Sequence, residues 1–74
     1  MILEEFEKYI ESIGFKQINA YYYYNDHRIK LHYNWYDFYN GSKWFEYYDL
    51  NDLRLIENYF KKELRTFKLK NILG

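Results

Sequence analysis

Residues 16–48, KQINAYYYYNDHRIKLHYNWYDFYNGSKWFEYY, decide the fold. Aromatic and branched side chains dominate the stretch, as suits pleated and half-buried backbone. The apolar period is two rather than the three-to-four of a helix. Asn40-Gly41 is its strongest turn signal, because both residues tolerate the positive φ that a type I′ hairpin requires. Asn25-Asp26 is a weaker signal of the same kind. These signals predict strands at 16–24, 28–39 and 42–48, forming an antiparallel meander with the second strand central.

With two-residue loops the register follows. Tyr22 faces Ile29, Ala20 faces Leu31 and Ile18 faces Tyr33. In the second hairpin Tyr33 faces Tyr48, Trp35 faces Glu46 and Trp44 faces Asp37. One face then collects Ile18, Ala20, Tyr22, Ile29, Leu31, Tyr33, Trp35, Trp44 and Tyr48, and is expected to be the core face. The other carries Gln17, Asn19, Asn34, Tyr21, Tyr23, Arg28, Lys30, His32, Tyr36, Phe38, Lys43, Phe45 and Tyr47.

Working outward, residues 2–13 repeat Leu3, Phe6, Ile10 and Ile13 at helical spacing, with Glu4, Glu7, Lys8 and Glu11 opposite. Gly14 supplies a left-handed stop and Phe15 a hydrophobic contact behind it. After the sheet, Leu53, Ile56, Phe60, Leu64 and Phe67 mark a second helix starting near Asn51, with Asp49 or Asn51 as cap. Residues 66–74 read equally as frayed helix, short strand or ordered tail. The expected architecture is a single α+β domain over residues 1–74. It runs helix, three-stranded antiparallel meander, helix (αβββα), with both helices on the apolar sheet face. Trp35 and Phe60 are expected between the layers.

Composition excludes several function classes. The chain of 74 residues has 11 basic and 11 acidic side chains, which argues against a general electrostatic affinity for nucleic acid or acidic membrane. Without Cys it has no disulfide, thiolate nucleophile or Cys-ligated metal. The glutamates of the first residues do not suit a signal peptide, and no apolar run is long enough for a spanning helix, so a cytoplasmic protein is expected. His27 and His32 have opposite parity and cannot share a metal on one strand. Ser12, Ser42 and Thr66 lack a nucleophile motif, and no Gly-rich phosphate loop is present. No enzyme activity, cofactor, metal or small-molecule substrate is therefore expected. Glu4, Glu7 and Glu11 form a solvated face suited to the helix dipole, and Lys61, Lys62, Arg65, Lys68 and Lys70 suit the opposite pole of the second helix.

The feature left over is the second sheet face. Tyr21, Tyr23, Tyr36, Phe38, Phe45 and Tyr47 interleave there with Arg28, Lys30, His32 and Lys43. These ten residues are the candidate partner-binding set, since Tyr and Arg are enriched at binding hot spots. The bland alternative is aromatic cross-strand pairing with cation–π contacts that only stabilise the sheet. Short length, a residue usage favoured by AT-rich codons and one sticky face resemble small phage and mobile-element proteins, some of which bind and block a host defence enzyme. That resemblance implies a non-enzymatic binder acting in the host cytoplasm on a protein partner. A single-stranded nucleic-acid binder using the same face is the alternative, and a merely oligomerising structural protein the next.

Overall fold

The computed structural model describes residues 1–65; Phe67, Lys68, Lys70 and the ambiguous segment 66–74 lie outside the described residues. Helix α1 (Leu3–Ile13) is followed by five strands: β1 (Lys16–Ile18), β2 (Tyr21–Tyr24), β3 (His27–Leu31), β4 (Trp35–Tyr39) and β5 (Trp44–Asp49). Helix α2 (Arg54–Tyr59) comes next, and residues 61–65 are again helical. The sheet is antiparallel throughout, in the order β1-β2-β3-β4-β5.

The expected three-stranded meander is therefore corrected to a five-stranded one, although the α+β class stands. Two turns divide what the sequence pattern joined. Asn19, at φ 59°, turns the chain with Ala20 so that Ile18 pairs with Tyr21. Tyr33 and Asn34 turn it again, where the His32 N–H donates to the Trp35 carbonyl at 2.9 Å and Leu31 pairs with Tyr36. The Asn25-Asp26 turn lies where its signal placed it, pairing Tyr24 with His27. The last hairpin is displaced. Asn40 N–H donates to the Lys43 carbonyl, the Asn40 side chain accepts from the N–H groups of Ser42 and Lys43, and Gly41-Ser42 forms the loop. Only Gly41, at φ 97°, has positive φ there, so the expected type I′ pair Asn40-Gly41 is not formed.

The turn at Tyr33-Asn34 reverses which residues face inward on β4. Tyr36 and Phe38, expected on the outer face, are fully buried, whereas Trp35 lies half-buried on the outer side. Tyr33, expected inside, is 81% exposed. On β5, Phe45 pairs with Phe38 on the inner face, while Trp44 pairs with Tyr39 on the outer one. A bulge then lets Tyr36 pair with Tyr48, so that Asp37 stands against both Glu46 and Tyr47. The bulge returns Tyr48 to the inner face that the sequence register assigned it.

Both helices cover this inner face. Phe6, Ile10 and Ile13 are the buried stripe of α1, with the Phe6 ring 4.7 Å from that of Tyr36. Gly14, at φ 132°, ends the helix, and its N–H reaches the Ile10 and Glu11 carbonyls. A Cβ there would stand 2.7 Å from the Tyr24 ring, so glycine is required twice over. Phe15 then enters the core against Phe60. The second helix begins at Arg54 rather than near Asn51, and it is interrupted at Phe60, whose φ and ψ are −124° and 34°. The interruption seats the buried Phe60 among Phe15, Tyr24, His27 and Phe38.

Tyrosine hydroxyls inside need partners, and two find them. Tyr36 donates to the Asp52 carbonyl at 2.6 Å, tying β4 to the approach of α2. Tyr22 donates to Glu7 on α1 at 3.0 Å. Burial pushes the Tyr22 hydroxyl up to about 12, with the bond to Glu7 adding to it. Burial likewise raises Tyr9 to about 12, helped by Glu57, and drives Tyr36 beyond the ordinary tyrosine range.

Two outcomes follow from this packing. Phe38→Ala should cost about 3–5 kcal/mol in chemical denaturation, and Trp35→Ala distinctly less; equal losses would mean that β4 has the opposite facing. Because the three hydroxyls keep their protons to higher pH in the folded chain than in the unfolded one, their contribution is complete below pH 10. Stability should then fall as pH rises from about 10 towards about 12. Absorbance titration should show Tyr9, Tyr22 and Tyr36 ionising last. A flat stability profile across that window would contradict the burial.

Candidate functional site

The face turned away from the helices is built from alternate residues of all five strands. Its centre is β3, where Arg28 stands opposite Tyr23 on one side and Tyr39 on the other. The guanidinium lies 5.4 Å from the centroid of each ring. Two residues on, Lys30 stands opposite Tyr21 and places its ammonium 5.8 Å from that ring. Tyr39 in turn contacts Trp44 at 5.2 Å, and Trp44 meets Tyr21 at 6.2 Å. In a flat sheet β2 and β5 would stand about 14 Å apart, three strand spacings. Contact between Tyr21 and Trp44 therefore has the two long side chains reaching towards each other across β3 and β4.

A second group occupies the β3–β4 turn and the bulge. The His32 ring stacks on Trp35 at 4.5 Å and 13°. Its Nε2 is 2.8 Å from Asp37 Oδ2. The other carboxylate oxygen of Asp37 accepts the Tyr47 N–H at 3.0 Å. Tyr47 is held at φ 64° by the bulge and is 76% exposed. Trp35 Nε1 has no hydrogen-bond partner among the described residues. Asp37 thus serves as the internal brace of the bulge.

Of the ten residues singled out from the sequence, Tyr21, Tyr23, Arg28, Lys30, His32 and Tyr47 come together on or beside this face. Tyr36 and Phe38 do not, being core residues. Phe45 is half-buried on the inner face, and Lys43, just before β5, places its ammonium 4.8 Å from that ring's centroid. In their place the face gains Tyr39, Trp44 and Trp35, which parity had assigned to the core or left aside. The signal that could have found them was the length of segment 28–39, longer than the 3–10 residues usual for a strand.

The arrangement offers cations, ring edges and hydroxyls. Among the described residues no cluster of His, Asp or Glu could hold a metal ion. The histidines stand apart, His27 lying on the helix side against Phe38 and Phe60. Nor is any described helix long and apolar enough to cross a membrane. No family model matches the chain, and neither a curated protein nor a solved structure matches it.

Tyr47→Gly removes the most exposed ring of the face while relieving a left-handed backbone that costs a side chain about 1–2 kcal/mol. The variant should therefore be as stable as the parent within about 1 kcal/mol, measured by thermal melting. A larger loss would mean that the ring packs against Trp35 more closely than their 6.2 Å separation implies.

Proposed function

We propose that this chain is a non-enzymatic binding protein that occupies a surface of a protein partner with the outer face of its sheet. One observation carries the reading: the helices lie on the opposite face, yet this one displays Tyr21, Tyr23, Tyr39 and Trp44 around Arg28 and Lys30, with Trp44 38% exposed. An antiparallel sheet normally turns a polar face to water. Rigid tyrosines and an arginine held between rings lose little side-chain freedom on binding, which suits a hot spot. A phage or mobile-element protein that blocks a host defence protein belongs to this class, and the AT-rich residue usage fits such a source.

Single-stranded nucleic acid is the second reading, favoured by the interleaving of cations with rings. Against it, Arg28 and Lys30 already sit over ring faces on which bases would stack, and the net charge is zero. The two readings separate in one comparison of parent and Arg28→Ala/Trp44→Ala protein. The parent should retain a protein partner from cells of the source host, the variant should lose it, and both should melt alike. Labelled oligo(dT) should bind neither at moderate salt. Undiminished partner retention by the variant, or tight and salt-sensitive oligo(dT) binding by the parent, overturns the proposal.

A further inference from the structure

The charges of the outer face are segregated: Lys16, Arg28 and Lys30 lie on β1 and β3, whereas Asp37, Glu46 and Asp49 lie on β4 and β5. Lys30 stands directly across from Asp37 in the β3–β4 register, the position at which an ion pair would be expected. No ion pair forms there. Both carboxylate oxygens are committed elsewhere, one to His32 Nε2 and the other to the Tyr47 N–H of the bulge. Lys30 turns to the Tyr21 ring instead. The Arg28 guanidinium lies against the Tyr23 and Tyr39 rings, and these opposite residues carry no charge. His32 pairs with Asp37 and Arg54 with Asp52, and neither central cation meets a carboxylate among the described residues. Lys16, exposed on β1 opposite Tyr23, adds a third cation to the same side.

Resting on the protein-binding reading of this face, we infer that the partner presents an acidic, extended segment whose carboxylates sit on the Arg28–Lys30 row. Charge complementarity is the first argument. Two cations held in place by rings, and unanswered by the chain itself, favour an anionic occupant. Spacing is the second. Alternate residues of one strand stand about 6.8 Å apart, as do alternate side chains of any extended peptide. Acids at every second position therefore match the row without distortion. The surrounding rings supply the third: Tyr23 and Tyr39 flank Arg28, and Tyr21 meets Trp44 beside Lys30, so apolar surface borders the charged row and lowers the water content around it. Charged pairs gain strength in such surroundings.

A short peptide alternating Glu with Val tests the inference, beside its Gln-for-Glu counterpart and an oligo(dT) of equal length, each titrated against the full chain. The acidic peptide should bind at least about tenfold tighter than the Gln peptide, in keeping with charge-assisted bonds to two cations. Its affinity should fall as salt is added and should be lost in Arg28→Gln/Lys30→Gln. Should the double variant melt early, Lys30→Gln alone reads the same contrast. Equal binding of the two peptides, both abolished by Trp44→Ala, overturns the acidic chemistry but leaves the protein-binding reading standing. Oligo(dT) binding more tightly than either peptide overturns both. Binding of no probe overturns the inference.

Discussion

A two-residue turn pairs residue k with residue k + 3, an odd number with an even one, so each such turn exchanges which parity faces the core. The four connections of this sheet, at Asn19-Ala20, Asn25-Asp26, Tyr33-Asn34 and Gly41-Ser42, are all of this length. Inner residues accordingly alternate: Tyr22 on β2, Ile29 and Leu31 on β3, Tyr36 and Phe38 on β4, Phe45 on β5. The bulge opposite Asp37 adds one residue and restores Tyr48 to the inside. With strands of three to six residues, a slip of one would turn every inner side chain of the slipped strand outward. That constraint places both aromatic sets of the molecule.

It also explains what the sequence revealed and what it hid. The first helix was legible because Gly14 closes it and its apolar stripe has the helical period. The β2–β3 hairpin was legible because Asn25-Asp26 announces its turn. Tyr33-Asn34 offers one turn-forming residue beside an aromatic, and Asn19-Ala20 is hardly stronger. In a chain where rings occupy both parities, alternation cannot choose between two facings, because Tyr36 and Trp35 are equally good core candidates by hydrophobicity alone. One unseen turn therefore inverted β4 and most of β5. Arg28, Lys30, Tyr21 and Tyr23 escaped the error because they precede it. The candidate site was thus legible on β2 and β3 and misread beyond them.

The two sets of rings do different physical work. Inside, Phe6, Phe15, Phe38 and Phe60 carry no polar atom, while Tyr36 and Tyr22 hand their hydroxyls to Asp52 and Glu7. Each ring there contributes several kcal/mol, a large part of the stability of so short a domain. Outside, tyrosine and tryptophan keep one edge wet, and cation–π contacts contribute only about 0.5–1 kcal/mol each at exposed sites. Folding depends heavily on the first set and lightly on the second.

That asymmetry bears on why the outer face is aromatic at all. The described helices, α1, α2 and residues 61–65, all serve the inner face. A sheet of this kind needs only polar groups on its solvent side, and threonine or lysine would satisfy it at no loss of pairing. Instead, Asp37 is withdrawn into bracing a bulge, and Lys30 is left facing a ring rather than the carboxylate across from it. A surface optimised for stability would have joined them. The geometry that keeps them apart costs little in folding free energy, since an exposed pair is worth at most about 1 kcal/mol, and it leaves a positive row between aromatic banks.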